Sequence, residues 1–364
     1  MEYVNYKVET LKAFCKEVFT RLGFAPQDAD IITENLLMAD LYGIKSHGVQ
    51  RLVRYYSGLK KNSIHVDAKP EIVFETPVSA VIDGHSGMGQ VIATFANNLA
   101  IEKAKKTGMA FVTVRNSNHY GIAGYYTKKA CDAGMIGFSM TNTESIAVHT
   151  NSSQALLGSN PIAFAMPAEP YPFWFDAATT VVPRGKLEVY NKAGKPLEHG
   201  WATGETGEVS TDAAHVLHCI ADKVGTGGIL PLGGNTEAMG SHKGYGFSMI
   251  CELLTAITSF GATSNHHVRR ENQGAGSCHS FIVINPEIFG DVEEMKKNLS
   301  VFLQELRDAK RVDENIPIYT HGEKEFVRYE ENMKKGIEID VKTVQEMLEI
   351  GDSLGIDRST YHNC

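Results

Sequence analysis

The chain has 364 residues, with 35 Lys and Arg against 43 Asp and Glu, which gives a formal net charge of -8. One hydrophobic core rarely covers such a length, so two packed domains are expected. Apolar residues make up 43% and charged residues 21% of the chain, as in ordinary globular proteins. The negative charge and the lack of a long basic stretch in the sequence argue against nucleic acid as a partner.

The first part of the chain predicts three helices. Apolar residues recur at helical spacing from Val8 to Leu22 and stop at Gly23, a residue type that accepts left-handed backbone. Pro26 suits the first turn of a second helix, and a third is predicted from Ser46 onward. The N-terminus lacks a basic segment followed by an apolar run, so we expect no signal or transit peptide and a cytoplasmic protein.

The cysteines and the longest apolar run exclude two further classes of protein. The run from Tyr245 to Phe260 is too short to span a membrane and contains Glu252, so we predict a buried core helix and no transmembrane segment. No Cys-x-x-Cys pair occurs, so the sequence predicts no disulfide framework and no bound metal. The six cysteines are Cys15, Cys131, Cys219, Cys251, Cys278 and Cys364.

The middle of the chain is predicted to be α/β or α+β, and the end is predicted to be helical. After Pro286 helical patterns cover Val292–Asp308 and Val341–Leu354, which we expect to fold back onto the N-terminal helices. Residues 1–74 and 291–364 would then form one helical domain, and residues 75–290 an α/β domain that binds cofactor and substrate. The predicted strands are Glu71–Phe74, Ala80–Asp83, Ala110–Val114, Ile162–Met166 and Phe173–Phe175.

One segment, VSAVIDGHSGMGQVIATFANNLAIEKAKK, has the strand, turn and helix of a dinucleotide-binding motif. Gly87 and Gly89 supply only half of the G-x-G-x-x-G pattern, because Ile92 occupies the third glycine position. We therefore predict an ordinary turn and helix here. The sequence also contains no P-loop or H-E-x-x-H pattern.

Two histidine segments carry the chemistry that a small acid would need. His47 and Arg51 are four residues apart, so on a helix they would share a face, although an ion-paired surface is the alternative. Arg can hold a carboxylate through two hydrogen bonds, and His can exchange a proton. His119 lies between a predicted strand and a predicted helix, whose N-terminus would lower the imidazole pKa; a simple capping role is equally compatible.

Polar residues at other turns are candidates for holding a cofactor. Asp176 ends a predicted strand and could accept hydrogen bonds from ribose, while Arg184 and Lys186 could offset phosphate charge. Lys243 lies among glycines at the start of the most apolar helix, where backbone N–H groups can bind an anion. Ordinary turn chemistry and solvated charges are the alternative for all of these residues.

Taken together, the segments SHGVQR, NSNHYGIAGYY, LLGSNPIAFAMP, FDAATTVVPRGK, ILPLGG and HKGYGFSM resemble the type-2 malate/L-lactate dehydrogenase family. The resemblance extends over about residues 5 to 345. It implies a homodimer with an L-sulfolactate dehydrogenase-like, non-Rossmann fold, in which a mixed β-sheet domain is joined to a helical domain. It also implies a small 2-hydroxy or 2-oxo acid as substrate and NAD or NADP as cofactor.

The resemblance implies roles for individual residues. The family's SHG-x-x-R and NSxHFG segments match here, with Tyr120 in place of Phe, which makes Ser46, His47, Arg51 and His119 the expected catalytic residues. Two departures stand out: His242 precedes KGYG, and residues 202–230 are longer and less regular than in relatives. The cofactor-contacting positions that the resemblance implies are Thr143, Asp176, Ala177, Ala178, Lys243, Gly322 and Glu323.

The expected reaction is hydride transfer between an L-2-hydroxy acid, of malate or lactate type, and nicotinamide. His119 would serve as base, Arg51 would hold the carboxylate and His47 would polarise the hydroxyl or relay the proton, although the roles of the two histidines could be exchanged. The alternatives are a reductase of cyclic 2-imino acids or of a keto-sugar acid, and a non-catalytic dimer that only binds the cofactor. The sequence does not indicate which acid is preferred or distinguish NAD from NADP.

Overall fold

The structure, a computed structural model, describes residues 2–221, 226–267 and 274–361. Its helices are α1 Val8–Arg21, α2 Pro26–Leu41, α3 Leu52–Lys60, α4 Gly89–Thr107, α5 Gly124–Asp132, α6 Arg184–Lys192, α7 Ala213–Ala221, α8 Ser241–Glu252, α9 Val292–Arg307, α10 Glu323–Lys335 and α11 Val341–Ser353. Its strands are β1 Tyr3–Tyr6, β2 Glu71–Glu75, β3 Ser79–Asp83, β4 Met109–Ser117, β5 Ile136–Thr141, β6 Ala147–Val148, β7 Ala155–Leu157, β8 Ile162–Met166, β9 Phe173–Ala177, β10 Ala202–Thr203, β11 Gly228–Ile229, β12 Ser277–Ile284 and β13 Ile337–Asp340.

A mixed seven-stranded sheet organises the middle of the chain, in the order β2-β3-β4-β12-β5-β8-β9. Only β3 and β4 run parallel, joined by α4, and every other neighbouring pair in this sheet is antiparallel. A doubly wound dinucleotide-binding fold needs a mostly parallel sheet. The prediction that the glycines before α4 are not a Rossmann motif is therefore confirmed.

The elements predicted from periodicity are present. Helix α1 is followed by Gly23 at φ +99°, the left-handed conformation predicted for the end of that helix, and α2 begins at Pro26. The five predicted strands all form, with β4 and β9 continuing past their predicted ends to Ser117 and Ala177. These extensions matter because they carry the chain from the sheet to His119 and Asp176.

The N-terminal helices share a core with the end of the chain. Leu11 and Leu36 pack in one apolar cluster with Met347 of α11, and β1 pairs with β13. The predicted return of the second C-terminal helix is thus confirmed. Helix α9 behaves differently, since Ser300 accepts a hydrogen bond from the backbone N–H of Glu169, before β9. Strand β2 begins at Glu71 and pairs with β3 in the large sheet, so the sheet begins before residue 75. The predicted division of the chain into two domains, with boundaries at residues 74 and 291, stays a prediction.

The prediction of a buried core helix over Tyr245–Phe260 is wrong. Helix α8 and the π-helical turn that follows it bury only small or polar side chains such as Cys251 and Thr255, because the large apolar side chains project from the opposite face. Within the described ranges, no helix combines the length and the apolar character that a membrane crossing requires. The exposed face consists of Phe247 (51% exposed), Ile250 (44%), Leu253 (47%), Ile257 (54%) and Phe260 (81%).

A second, smaller sheet lies beside the large one, in the order β10-β11-β6-β7. Helices α6 and α7 pack together over it, with Leu187, Val216 and Ile229 in a separate apolar cluster. This part of the fold corresponds largely to the irregular segment 202–230, of which residues 222–225 lie outside the described residues. Helix α6 also forms part of the cavity described next.

Candidate active site

A cavity of about 390 Å³ lies between the segment that precedes α3 and the ends of the central strands. On one side, the cavity is lined by four residues that the sequence predicted to be functional, namely His47, Arg51, His119 and Arg184. Thr143, on the opposite wall, was predicted as well. The two histidines and Arg51, from stretches separated by more than sixty positions in the sequence, therefore reach one cavity.

The segment around His47 is not the helix that the sequence predicted. It forms two 3-10 turns, Lys45–His47 and Val49–Arg51, and the α-helix begins only at Leu52. The cause is Asp40 of α2, whose carboxylate accepts the backbone N–H of Val49 at 2.7 Å. A Cβ on Gly48 would lie 1.9 Å from the same carboxylate, so only glycine permits this approach. His47 and Arg51 thus meet through a tertiary hydrogen bond rather than through helical spacing.

Short hydrogen bonds inside these turns orient the side chains. Ser46 Oγ lies 2.8 Å from His47 Nδ1, and Arg51 Nε donates to the Ser46 carbonyl at 2.6 Å. Both bonds use the inner nitrogen of the functional group. Within the described part of the chain, no hydrogen bond is found for the outer His47 Nε2 or for the terminal nitrogens of Arg51, so they remain for a ligand.

His119 is held in place by its backbone and by its ring. Gly89, at the start of α4, lies so close to the 118–119 backbone that a Cβ there would be 2.3 Å from the His119 carbonyl oxygen. The ring stacks on His47, with centroids 5.5 Å apart and an interplanar angle of 19°. His119 Nδ1 lies 2.7 Å from the hydroxyl of the buried Tyr55. This leaves His119 Nε2 as the nitrogen that a substrate can reach.

Both imidazoles are neutral at pH 7. Burial, acting together with the nearby Arg51 and Arg54 guanidinium groups, lowers the pKa of His47 to about 3. Burial likewise holds the pKa of His119 well below its ordinary value, with Arg54, His47 and Arg51 acting in the same direction. This is the direction predicted for His119, and its largest causes are burial and the neighbouring Arg54, His47 and Arg51.

The cavity carries an excess of positive charge. Three guanidinium groups line it, those of Arg51, Arg54 and Arg184, against the carboxylates of Glu144 and Glu188. Arg184 donates to Glu188 at 3.1 Å. Among the residues that the structure describes, no ion pair is found for Arg51 or Arg54. An anionic ligand would therefore be attracted locally although the whole chain is negative.

The opposite wall is built from the end of β5 and the residues that follow it, among them the uncharged Thr141, Asn142 and Thr143. Asn142 donates to the backbone carbonyl of Ala262 at 2.9 Å and to the buried Glu252 at 3.2 Å. The backbone N–H of Thr143 donates to Asn160 at 3.0 Å, and Asn160 in turn donates to Glu252 at 2.9 Å. One buried carboxylate therefore fixes the residues on both sides of this wall.

The predicted cofactor residues do not all lie together. Thr143 and Arg184 line the histidine cavity. Asp176 lies partly buried at the end of β9, where it accepts the backbone N–H of Gly124 at 2.7 Å, and burial raises its pKa to about 6. Ala177 ends the same strand and Ala178 follows it, and neither lines the cavity.

The remaining predicted positions lie at two other places. Lys243 lines a separate concavity of about 320 Å³ at the start of α8. Gly322 precedes α10, and a Cβ there would lie 2.8 Å from Trp174 Cβ, while Glu323 binds Arg307 and accepts from Thr320. The role of each of these residues as a cofactor contact stays a prediction.

Several cavity residues were not identified from the sequence. Arg54 and Tyr55 follow Arg51 by three and four positions at the start of α3, and this helical spacing could have identified them. Asn142 follows the apolar run of β5, and polar residues at strand ends are a usable signal. Glu252 gives no such signal, because it contacts Asn142 from 110 residues away.

Comparison with known proteins agrees with this geometry. The family model for malate/L-lactate dehydrogenase matches residues 6–348. The chain is 43% identical to a malate dehydrogenase of Pyrococcus abyssi, over 97% of this chain and 96% of that protein.

Two solved structures have the same fold. One is a malate dehydrogenase of Entamoeba histolytica, with a TM-score of 0.94, 36% identity and coverage of 98% of this chain and 99% of that one. The other is a sulfolactate dehydrogenase of Methanocaldococcus jannaschii, with a TM-score of 0.87, 33% identity and coverage of 99% and 100%. The predicted non-Rossmann fold is confirmed. The chain therefore belongs to the malate/L-lactate dehydrogenase family and is a hydroxy acid dehydrogenase that acts on CH–OH donors.

Proposed function

We propose that the protein transfers a hydride between C2 of a small L-2-hydroxy acid, of malate or lactate type, and the nicotinamide of NAD or NADP. The observation that carries this proposal is the convergence of His47, His119 and Arg51 on one cavity. Two neutral imidazoles beside a guanidinium that has no ion pair among the described residues suit a substrate that has both a carboxylate and a hydroxyl group.

Arg51 is the proposed carboxylate ligand. Its Nε already donates to the Ser46 carbonyl, which fixes the plane of the guanidinium group and leaves the terminal nitrogens to bind two carboxylate oxygens. Burial lowers the pKa of Arg51, yet a guanidinium group stays charged at neutral pH. Arg54 is more exposed and is suited to a second carboxylate, as in malate.

His119 is the proposed general base. In the oxidative direction His119 Nε2 accepts the hydroxyl proton, which requires the neutral ring to carry its other proton on Nδ1, beside Tyr55 Oη. His47 Nε2 would donate to the same substrate oxygen. A bound carboxylate would offset the cations that lower the histidine pKa values, so His119 retains the proton more readily while the substrate is present. The reverse reaction returns this proton to the 2-oxo group.

The donor groups of the cavity fit the reactive end of a nicotinamide cofactor. Thr143 and Ser159 offer uncharged hydroxyl groups that suit a carboxamide, and Arg184 at the edge suits a phosphate. When bound, the nicotinamide supplies the carbon that exchanges hydride with the substrate. A cavity of about 390 Å³ suits a small acid and this ring, so the rest of a dinucleotide would lie outside it.

We also propose that the protein is a homodimer and that the exposed apolar face of α8 is its interface. This face exposes five large apolar side chains, and a second copy of the chain would cover them. Lys243 lies in the first turn of the same helix, so a cofactor that contacts Lys243 would lie near that interface. Sedimentation equilibrium tests this: Ile257→Glu should give monomers, whereas dimers of unchanged stability would refute the interface.

A parallel assay tests the substrate class. Oxidation of NADH and of NADPH is followed with oxaloacetate, pyruvate and piperideine-2-carboxylate. Turnover of a 2-oxo acid supports the proposal, and the faster cofactor identifies the preference between NAD and NADP. Turnover of the cyclic imine alone would make the protein an imine reductase, and cofactor binding without turnover would make it a binding protein.

A further inference from the structure

Helix α7 and the loop before it bring three metal-binding side chains together, away from the histidine cavity. They are Glu205, His215 and Cys219, and their ligand atoms all lie within 4.8 Å of one another. His215 and Cys219 are four residues apart on α7, so both project from one face of the helix. Glu205 approaches from the loop after β10. No part of the proposed dehydrogenase reaction uses these residues.

The spacing of the two helical ligands fits a single tetrahedral ion. Cys219 Sγ and His215 Nε2 are 3.8 Å apart. Zinc binds sulfur at about 2.3 Å and imidazole nitrogen at about 2.0–2.1 Å, so tetrahedral ligands of these two kinds lie roughly 3.6 Å apart. The distance between Cys219 Sγ and His215 Nε2 is therefore close to the distance that a shared ion would require.

A glycine keeps the space beside these ligands open. A Cβ on Gly204 would lie 1.9 Å from Glu208 Oε1 and 3.2 Å from His215 Nε2. No positive φ requires glycine at this position, so the close approach of these side chains is the reason that a larger residue does not fit. Glu208 thus has a carboxylate oxygen close to the same glycine as His215.

The burial of the ligands gives the cluster a closed end and an open end. Cys219 is 4% exposed, whereas Glu205 and Glu208 are exposed and His215 lies between these limits. An ion can therefore enter from the carboxylate side and reach a sulfur ligand that is shielded from water. This is the arrangement expected of a bound metal with an entry path.

We propose that Glu205, His215 and Cys219 form a binding site for a divalent transition metal of the zinc class. A thiolate, an imidazole and a carboxylate are ligands that zinc prefers, whereas calcium and magnesium require oxygen ligands. On binding, a metal–sulfur bond forms as the Cys219 S–H bond breaks, and the proton passes to solvent, so no oxidation or reduction occurs. His215 binds through a ring nitrogen and Glu205 through a carboxylate oxygen.

The site would brace one wall of the histidine cavity. Helix α7 packs on α6, and α6 carries Arg184 and Glu188 into that cavity. A metal that joins α7 to the loop after β10 would restrict the movement of this pair of helices. Its expected role is structural, because Glu205, His215 and Cys219 do not line the cavity.

Cobalt(II) is the spectroscopic probe for the site. The protein is freed of metal with a chelator and titrated with Co²⁺, with Cys364→Ser as the background so that the C-terminal thiol adds no ligand. We expect one equivalent of cobalt, a sulfur-to-cobalt charge-transfer band in the near ultraviolet and the visible bands of tetrahedral cobalt. Zinc should displace the cobalt. If Cys219 and His215 only form a hydrogen bond and do not bind metal, no charge-transfer band should appear. The absence of this band would overturn the proposal.

Variants identify the ligands. Cys219→Ser should abolish the charge-transfer band, and His215→Gln should weaken metal binding at least about tenfold, since even an outer-shell partner contributes that much. The matched controls are His218→Gln, on the exposed side of α7, and Cys131→Ser, on α5, which should bind as the background does. A band that persists in Cys219→Ser would refute the site.

Glu205→Gln keeps the test valid if the helical variants fail to fold. Glu205 is exposed, so its amide variant should fold, bind cobalt at least about tenfold more weakly and lose part of the rise in Tm that zinc gives the background protein. Unchanged cobalt affinity in Glu205→Gln, or no rise in Tm with zinc, would contradict the three-ligand site.

Discussion

The two walls of the cavity are built in different ways. On the helical side, residues 46–55, oriented by Asp40, and His119 supply charge and exchangeable protons. On the sheet side, residues 141–143 supply uncharged groups, which are held through Glu252 from a distant helix. Under the proposed function, the helical wall would perform the chemistry, while the sheet wall would fix the shape of the space into which a substrate must fit.

The largest expected effect is on the acid–base group. His119→Gln should lower kcat on the order of 10²–10⁴-fold and leave cofactor affinity nearly unchanged, because glutamine cannot accept the proton. The comparison partner is Thr143→Val on the sheet wall, which should lower kcat by less than about tenfold, the effect of one neutral hydrogen bond. Steady-state kinetics with cofactor titrations measure both effects. Normal turnover in His119→Gln would show that His119 is not the general base.

The next effect concerns the carboxylate ligand. Arg51→Lys should raise KM for the acid and lower kcat/KM by about 10- to 100-fold, because a lysine cannot reproduce two parallel bonds, each charge-assisted bond contributing about 1.5–3 kcal/mol. Arg54→Lys is the matched control at the more exposed position and should have a smaller effect. An unaltered KM in Arg51→Lys would contradict the assigned contact.

A smaller effect is expected on the sheet wall, and it should concern stability. Glu252→Gln replaces an acceptor by a donor that faces the backbone N–H of Ser264 and the amide of Asn142. Its free energy of unfolding should fall by about 1–3 kcal/mol, with a drop in Tm of a few degrees. Glu305→Gln, on the exposed surface of α9, should change little. Thermal unfolding measures both variants. A Glu252→Gln protein with full stability and reduced kcat would contradict the assignment of a structural role to the sheet wall.

The smallest effect is a pH dependence of stability on the helical wall. The folded pKa of His47, about 3, lies below the ordinary value of 6.5, so the unfolded chain binds more protons and stability falls as the pH falls below 6.5. This contribution is about 1.4 kcal/mol near pH 5.5. His47→Gln should therefore lose less stability than the wild type between pH 7.5 and 5.5 in urea titrations. Equal losses in the two proteins would show that the pKa of His47 is the same in the folded and the unfolded chain.

Asp40 acts in the opposite direction on the same wall. Burial raises its pKa to about 7 from 3.8, so its contribution to stability is greatest at low pH and is lost as the pH rises towards 7. Comparing His47→Gln with the wild type keeps Asp40 constant, which is why the difference between the two proteins is the informative quantity.

The sequence was most informative where neighbouring residues determine the structure. Periodicity located α1 and α2 closely, and Gly23 marked the end of a helix correctly, because these features depend on local backbone and side-chain preferences. The same reasoning failed at Lys45–Arg51, where Asp40 imposes two 3-10 turns through a contact that spacing cannot reveal.

The candidate site was predictable only in part. The convergence of His47 and His119 was implied by resemblance to a family, since spacing alone left surface or capping roles open for both. The network around Glu252 joins residues far apart in the chain, so no local pattern marks it. The outward face of α8 also escaped prediction, because an apolar run does not indicate whether its large side chains meet the core or the surface.

The contact between Gly89 and the His119 carbonyl has a consequence for where phosphates can bind. In nucleotide-binding folds the start of the helix after the first strand receives the pyrophosphate. Here the backbone of residues 118–119 fills that position, with oxygens facing the helix start where an anion would need donors. The turn before α4 is thereby closed to a diphosphate, and the glycine that looked like part of a nucleotide motif instead makes room for the loop that bears the base.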